Sequence, residues 1–493
     1  MTDLLVRGAR LVPVASRRPR AVPAPPAGVV DVRVEDGRVV EVGPGLRGRG
    51  EELDAEGRWL VPGLWDQHVH SGQWARSFTR VDVSSAASAA DAVAIVRAAV
   101  AGRPPAPGVL LEGYGFRDAL WQDVPTTTAL DAAAGDVPVV LVSGDVHCGW
   151  LSSAAMARLG VPHRDGLVRE HEWFDVLARI GRLPHAEEAG LRAALGSAAE
   201  RGVVGIVDVE FAANHRRWPE RVAAGLDTLR VRTGIYTDDL DDVLAAGLRT
   251  GAPLPGGAGL LTMGPVKVIT DGALNTRTAH CHDPYSGGDG THGEQTVPAA
   301  ELRALMRRAS AAGLTTAVHA IGDASVTIAL DAYAATGARG TLEHAQLVTA
   351  EDVARFARLG VAASVQPAHL LDDRDVAEAY WAGRAGRTFP LRDLLDAGTE
   401  LRFGSDAPVA PLDPWLAMAA AVSRTGDERP PWTPEQRITP AEALAASTDG
   451  WGTVAPGHPG DLVLLDADPL SADLRTMPVA TTILAGRVTH DTR

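Results

Sequence analysis

Residues 60–70, LVPGLWDQHVH, join an apolar run from Leu60 to Trp65 to two histidines, His68 and His70, that one valine separates. A short apolar run next to turn residues is typical of a strand buried on both faces. Side chains two residues apart in an extended chain lie on the same side, so both imidazoles can approach one ion. The stretch therefore predicts a buried strand that ends in a pair of metal ligands.

Seven further apolar runs follow, and Ala/Leu-rich segments of helical character separate them. Strands that alternate with helices predict a parallel sheet with crossover helices, and eight strands is the number that closes a TIM-like (β/α)8 barrel. The seven runs are Val203 to Val209, Val231 to Tyr236, Pro265 to Thr270, Thr315 to His319, Thr341 to His344, Val361 to Gln366 and Leu401 to Ser405.

The two ends of the chain predict a second, smaller domain. VVDVRVEDGRVVEVG near the start alternates apolar and polar residues around a DG turn, and GDLVLLDADPL and TTILAGRVTH near the end look alike. Neither piece alone can bury a sheet face, so we expect 1–61 and 453–493 to form one small β-sandwich domain. The barrel then occupies 62–452, and the stretch of about 73–200, too long for one crossover, is expected to be an insertion after the first barrel strand.

Composition excludes several classes of function. The formal net charge of −15 repels nucleic-acid phosphates and anionic membranes, and no Lys/Arg block offsets it. We therefore expect a small-molecule substrate, no nucleic-acid partner and no membrane partner. The two cysteines cannot form a disulfide framework, and neither a signal-peptide pattern nor an uncharged apolar run of about 18 residues is found. A cytoplasmic location is the simplest interpretation.

Lysine usage is unusual. Of the 47 basic residues one is lysine, Lys267, and the other 46 are arginine. A coding bias toward arginine replaces lysine wherever a surface cation is enough. The lysine that persists indicates a position where an amine is required.

Further polar groups fall at the ends of the predicted strands. Lys267 lies within the fourth strand, His319 ends the fifth, His344 ends the sixth and Asp406 follows the eighth. Catalytic groups of TIM barrels come from the carboxyl ends of the strands. The distribution predicts one active site at that end of the barrel.

Six segments in chain order carry a resemblance to a known family. They are VPGLWDQHVH, VKVITDGALNTRTA, AVHAIGDAS, LEHAQ, FGSDAPV and APGHPGDLVLLDADP. Together they resemble the amidohydrolase superfamily, and within it the YtcJ-like branch that includes N-substituted formamide deformylases. The resemblance implies a metal-dependent hydrolase that cleaves the C–N bond of an N-acyl or N-formyl amide or a related cyclic amide.

The resemblance also implies a binuclear metal centre. His68 and His70 would hold the more buried ion, and His319 and His344 the more exposed one. Lys267, carbamylated by CO2, would bridge both, because a neutral amine can become a carbamate whereas a guanidinium does not readily lose its proton. Two Zn2+ are the default ions of an imidazole-rich site, and Mn, Fe or Co are also compatible with oxygen ligands.

Asp406 would be both a metal ligand and the catalytic base, accepting a proton from the attacking water and passing it to the leaving nitrogen. The alternative for Asp406 is a turn or helix-capping aspartate before Ala407. The alternative for Lys267 is a buried ion pair with Asp271, or an amine that orients the substrate or hydroxide.

Residues on the substrate side are predicted within the insertion. SGDVHCGWLSSAAM resembles the family's substrate-side segment, so His147 or Trp150 lines the pocket or, equally, packs in the core. Tyr114, in a glycine-rich aromatic stretch, is a candidate for an acyl pocket, with core packing as its alternative.

Barrel loops supply the remaining candidates. Asp271 and Arg277 belong to the stretch after the lysine, which can reach the substrate, and His369 follows the seventh strand at the same end. Asp323 is expected to hydrogen-bond near His319, with helix capping as its competing role.

Three rival interpretations remain. His280-Cys281-His282 suggests a second metal site, but adjacent strand residues face opposite ways and no CxxC is present, so a structural loop is preferred. A one-metal deaminase of the same superfamily is disfavoured because AVHAIGDASVTIAL lacks the glutamate such sites pair with histidine. A catalytically inactive barrel that serves as an interaction module is disfavoured because all four metal histidines are present. A homodimer is an expectation from the family alone.

The solitary lysine gives a direct test. Lys267→Arg keeps the charge, so we expect the fold to persist while most of the bound metal and most of the activity are lost. Metal content by elemental analysis and turnover would be measured on the same preparation. Near-normal turnover in the variant would rule out the bridging role.

Overall fold

The computed structural model describes residues 3–15, 28–48, 50–102, 104–105, 109–116, 118, 121–143, 148–180, 187–287 and 290–493. The chain divides into two compact units. The first consists of 1–71 and 195–493 and holds the barrel together with both ends of the chain. The second is a single stretch, 72–194, compared with the insertion of about 73–200 expected from the sequence.

The strands of the described residues are β1 (Leu4–Leu11), β2 (Val29–Glu35), β3 (Arg38–Gly43), β4 (Glu51–Asp54), β5 (Trp59–Pro62), β6 (Leu64–Val69), β7 (Val81–Asp82), β8 (Leu111–Phe116), β9 (Val139–Ser143), β10 (Cys148–Leu151), β11 (Leu167–Arg169), β12 (Val203–Asp208), β13 (Arg230–Ile235), β14 (Leu261–Ile269), β15 (Thr316–Ala320), β16 (Gly340–His344), β17 (Ala362–Val365), β18 (Leu401–Phe403), β19 (Leu462–Leu465), β20 (Val479–Leu484) and β21 (Arg487–Asp491).

The helices are α1 (Ser71–Ser77), α2 (Ala89–Gly102), α3 (Thr127–Ala134), α4 (Ser153–Leu159), α5 (Glu170–Ile180), α6 (Glu187–Glu200), α7 (Asn214–Ala223), α8 (Leu240–Ala245), α9 (Ala299–Ala311), α10 (Asp323–Thr336), α11 (Ala350–Leu359), α12 (His369–Tyr380), α13 (Leu391–Asp396), α14 (Pro414–Ser423) and α15 (Pro440–Ala446). Short 3₁₀ helices cover Thr237–Asp239, Ala385–Arg387, Pro434–Gln436 and Leu474–Thr476.

Eight parallel strands of the described chain form the barrel sheet, in the order β6, β12, β13, β14, β15, β16, β17, β18. The predicted TIM-like barrel is confirmed. The seam between the first and last strands is bridged by the segment that follows β18, where Asp406 N donates to His68 O (2.8 Å) and His70 N donates to Ala407 O (3.0 Å). The barrel therefore closes at the residues expected to bind metal.

The first barrel strand begins later than its apolar run predicts. The prediction placed one strand over Leu60 to Trp65, but β5 and β6 divide this run between two sheets, with Gly63 between them. A Cβ at Gly63 would lie 2.3 Å from Val204 Cγ2, so only glycine allows the close approach needed at this junction. An apolar run alone cannot reveal such a change of sheet, because both pieces are buried.

Both ends of the chain build one further sheet, in the order β21, β20, β19, β5, β1, β2, β3, with β4 also paired to β1. The strands expected to form a sandwich thus belong to one continuous sheet, and residues from both of its arms share a core. The ends meet where β19 pairs antiparallel with β5.

Strand β19 is buried on both faces. Leu462 and Leu464 belong to the core of the terminal sheet, whereas Val463 and Leu465 belong to the core that contains the barrel strands and their helices. This division follows from the two-residue period of a strand. The four-residue apolar run therefore joins the terminal sheet to the barrel.

The second unit has its own sheet, in the order β11, β10, β9, β8, β7, which is parallel at one edge and antiparallel at the other. Apolar clusters pack its helices, including α2, α3 and α4, against this sheet. The insertion is thus a small α/β unit with a hydrophobic core of its own.

Local signals set the helix boundaries around the barrel. Helix α11 follows Thr349, whose side chain accepts from Asp352 N, and ends at Gly360, whose φ of +67° suits glycine. Its Phe356 faces the core. Among the described residues, no helix is both long and apolar enough to cross a membrane.

Because β19 is buried on both faces, truncating one of its side chains should destabilise the protein strongly. Leu465→Ala removes a fully buried side chain from the shared core, so the free energy of unfolding should fall by ~2–5 kcal/mol. Val40→Ala, on the half-exposed β3, is the matched control and should change it by less than about 0.5 kcal/mol. Denaturant unfolding followed by tryptophan fluorescence would measure both variants, and equal unfolding free energies for Leu465→Ala and Val40→Ala would contradict the shared core.

Candidate metal centre

The carboxyl ends of the barrel strands bring together all six side chains that the sequence nominated as metal ligands. His68 lies on β6, Lys267 on β14, and His344 on the last residue of β16. One nitrogen each of His68 and His344 and one oxygen of Asp406 lie within 4.8 Å of one another. His70 is 3.3 Å from Asp406 through Nε2 and Oδ1.

A carboxylate fixes the orientation of His68. Its Nδ1 lies 2.7 Å from Glu343 Oε2, and its Nε2 lies 3.1 Å from Lys267 Nζ and 3.4 Å from Asp406 Oδ1. Burial by itself would raise the pKa of Glu343, but the hydrogen bond from His68 lowers it to about 2. An ionised carboxylate only accepts, so Nδ1 of His68 carries the proton and the Nε2 lone pair faces the cluster.

Lys267 is almost fully buried and points its amine at the same cluster. Burial lowers the pKa of Lys267, although the charges of Glu343 and Asp406 partly oppose this. The alternative partner, Asp271, is engaged elsewhere, because its carboxylate accepts from the backbone amides of His280 and Gly322. The structure therefore places the amine beside His68 and not in an ion pair with Asp271.

The two remaining histidines form a close pair. The rings of His319 and His344 lie 4.3 Å apart, edge to face. Burial lowers the pKa of His319 to about 3 and that of His344 well below its usual value, and the charge of Lys267 adds to both shifts. Both rings are therefore neutral at physiological pH, which is the state that binds metal ions.

Both the ionisation state and the backbone conformation of Asp406 are constrained. Burial would raise the pKa of its carboxyl, but His68 and His70 hold that pKa well below the usual value. Asp406 and His344 both have positive φ, +59° and +70°. Strained backbone at non-glycine residues persists where the surrounding structure enforces it, and it concentrates at functional sites.

The donor set fits a metal centre. Nδ1 of His70 and Nδ1 of His344 are buried with no hydrogen-bond partner among the described residues. A buried polar nitrogen without a partner is costly, and a cation in contact with the imidazoles would compensate. Neutral imidazoles and an ionised carboxylate are the ligands that zinc prefers.

Three supporting carboxylates were missed in the sequence. Besides Glu343, Asp66 accepts from His68 N and Ser405 N, which ties β6 to the segment after β18. Asp208 accepts from Ser71 Oγ, the residue after His70, at 2.6 Å. Neighbouring residues of a regular strand face opposite sides, so Glu343 and His344 on β16 would not be expected to face the same site. The positive φ at His344 departs from the regular strand and lets both side chains contact His68.

Of the two loop candidates, it is His369 that lies next to the cluster. His369 begins α12, and its Nε2 lies 3.3 Å from Ser405 O, with its ring 6.3 Å from that of His344. Arg277 is exposed, and its guanidinium lies 5.3 Å from the ring centroid of Tyr380.

Asp323 differs from its expected role. Its carboxylate accepts from His282 N and pairs with Arg387 Nη1 at 2.9 Å, so it does not hydrogen-bond His319. It is the first residue of α10 and not its N-cap, which is Gly322. Asp271 takes the place beside His319 instead, with Oδ1 3.5 Å from Nε2. In the sequence, either aspartate could have been placed beside His319. The backbone amides that bind the Asp271 carboxylate hold it there.

Within the second unit, Trp150 is part of the hydrophobic core and not of an open pocket wall. It is fully buried, and its indole Nε1 donates to Thr126 O. Tyr114, on β8, is 42% exposed. His147 lies outside the described residues.

The segment His280-Cys281-His282 is a loop held by hydrogen bonds. Cys281 is buried with its Sγ near Ala279 O, and His282 Nε2 lies 3.1 Å from Thr327 Oγ1. Among the described residues, its side chains are not part of a group close enough to share an ion. The structural interpretation of this triplet is the one that the geometry favours.

Comparisons with known proteins agree with this geometry. The model of the amidohydrolase family Amidohydro_3 matches residues 51–490. The chain is 26% identical to N-substituted formamide deformylase from Arthrobacter pascens, over 93% of this chain and 94% of that protein. It is 25% identical to YtcJ of Bacillus subtilis (strain 168), over 90% of each.

A solved structure of an uncharacterized metal-dependent hydrolase from Pyrococcus horikoshii OT3 superposes with a TM-score of 0.81 at 25% identity. The superposition covers 97% of this chain and all of that one. The resemblance found in the six sequence segments is thereby confirmed. This chain belongs to the amidohydrolase family and is a metal-dependent hydrolase.

Proposed function

We propose that this protein hydrolyses the C–N bond of an N-acyl or N-formyl amide, or of a related cyclic amide. The observation that carries the proposal is the Asp406 carboxylate, which is buried, ionised and within 3.4 Å of two imidazoles at the mouth of the barrel. A relative named N-substituted formamide deformylase, aligned over nearly the whole chain, supports the bond type.

We propose two divalent ions, zinc by default, as the cofactor. The residues that would hold them are His68, His70, Lys267, His319, His344 and Asp406. When bound, such ions lower the pKa of water and polarise a substrate carbonyl. The neutral state of the histidines, imposed by burial, keeps them available as ligands.

Lys267 is proposed to act as a carbamate. Its buried amine has a lowered pKa, and the neutral amine is the form that attacks the carbon of CO2, forming an N–C bond and releasing a proton. The product would carry one negative charge shared by two oxygens, close to His68 Nε2, which lies 3.1 Å from the amine. Arginine cannot react in this way, so the proposal would account for the one lysine that persists among 47 basic residues.

Asp406 is proposed to carry the proton. As water attacks the carbonyl carbon, a C–O bond forms and the carboxylate accepts the proton of the water. The same proton then passes to the nitrogen as the C–N bond breaks, so base and acid are one residue. The fixed backbone of Asp406 keeps its oxygens beside His68 and His70 through both transfers.

Glu343 holds His68 in the orientation that the reaction needs. The 2.7 Å contact fixes the proton on Nδ1 and leaves Nε2 unprotonated. A carboxylate behind a ligand histidine also raises its basicity.

The first experiment is an assay of the metal-loaded chain on a library of N-formyl and N-acyl amides. Treatment with a chelator should abolish hydrolysis, and re-addition of zinc should restore it. Asp406→Asn should lower kcat by about 10²–10⁴-fold, since the amide cannot accept the proton. Asp331→Asn, on the exposed side of α10, is the matched control. Hydrolysis that survives metal removal would contradict the proposal.

A second test addresses the support of His68. Glu343→Gln keeps the shape and removes the charge, so the affinity for zinc should fall by about 10–100-fold. Competition with a chromophoric chelator measures this without any substrate. Glu351→Gln, on the exposed surface of α11, serves as control, and equal affinities in all three proteins would eliminate the role assigned to Glu343.

A further inference from the structure

Two large apolar side chains are strongly exposed at the carboxyl end of the barrel. Phe211 is 60% exposed and Val409 is 67% exposed. Single exposed apolar residues are ordinary on a protein surface. These two are unusual because of where they lie.

Both residues belong to loops that flank His70. The loop after β12 is joined to the end of β6 where Val209 N donates to Val69 O (2.8 Å). On the other side, His70 N donates to Ala407 O (3.0 Å), in the segment that carries Val409. Both loops are therefore bound to the backbone of the stretch that carries His70, and Val409 N also donates to Asp406 O (2.9 Å).

Phe211 is fixed in a stack of three rings. Its ring lies 5.4 Å from that of His70 and 4.7 Å from that of Tyr236, with interplanar angles of 19° and 23°. Tyr236 also donates through its hydroxyl to Val209 O (2.9 Å). The exposure of Phe211 is therefore a property of a held loop, and its surface is preorganised for contact.

Carboxylates lie close to this stack. Phe211 N donates to Glu210 Oε1 at 2.9 Å, and Asp406 lies beside His70. Burial raises the pKa of Tyr236, and the charges of Glu210 and Asp406 raise it further. Beside these polar groups, the exposed face of Phe211 offers an apolar surface next to His70.

We propose that Phe211 and Val409 bind an uncharged apolar substituent of the substrate and set the preference for it. The inference rests on the proposed function, because the scissile bond would lie at the neighbouring His70 and Asp406. Burying the substituent against these side chains gains free energy in proportion to the apolar area covered. The substrate class is thus narrowed to amides with an apolar, uncharged group next to the cleaved bond.

The test compares three formamides that differ only in the group on nitrogen: methyl, cyclohexylmethyl and carboxymethyl. The metal-loaded wild type should favour cyclohexylmethyl over both others in kcat/KM. Phe211→Ala should reduce the preference over methyl by roughly tenfold, mainly through KM, and Val409→Ala should reduce it less. Phe211→Tyr should retain it. Val40→Ala, an exposed valine on β3, is the matched control.

A binding measurement separates this inference from the proposed function. If the wild type hydrolyses none of the amides, the proposed function fails, and calorimetric affinities for the same compounds then decide the inference. A preference for cyclohexylmethyl that is lost in Phe211→Ala supports it. An unchanged preference, a preference for carboxymethyl, or a loss of zinc from Phe211→Ala would overturn it. So would a change of oligomeric state in that variant, which would assign the patch to contact between copies of the chain.

Discussion

The hydrogen bonds that close the barrel are the constraint on which the site depends. Asp406 N donates to His68 O, and His70 N donates to Ala407 O, so the segment after β18 is bound to the end of β6. Asp66 strengthens the same seam by accepting from both sides of it. Residues more than 300 positions apart in the chain thereby become neighbours. Without this closure the histidine pair of the first strand and the proposed base after the last strand would have no common centre.

Exclusion of water then sets the chemistry of the groups that meet there. Burial disfavours the charged form of each of these groups. It keeps the imidazoles of His319 and His344 uncharged and lowers the pKa of the Lys267 amine. The carboxylates of Glu343 and Asp406 stay ionised in the same surroundings because imidazole nitrogens contact them directly. Neutral nitrogens beside anionic oxygens bind a cation more favourably than they bind water.

Much of this arrangement was predictable from the chain itself. Apolar runs located the eight barrel strands because buried parallel strands need continuous apolar sequence, and polar residues at their ends located the candidate ligands. The change of sheet at Gly63 was hidden, since both sheets bury their residues equally. Glu343 was hidden for another reason: strand alternation turns it away, and only the positive φ of His344 brings it to His68. The choice between Asp271 and Asp323 depended on which carboxylate the loop amides would reach, and spacing does not encode that.

The double burial of β19 has a consequence for how the chain folds during synthesis. The barrel strands and the terminal strands up to β5 are made before residues 462–465, so Val61 lacks its strand partner Val463 until β19 emerges. Assembly of the shared core is therefore a late event, and the nearly complete chain carries an exposed apolar surface while it waits. A chain truncated shortly before β19 would therefore expose apolar surface and be prone to aggregation.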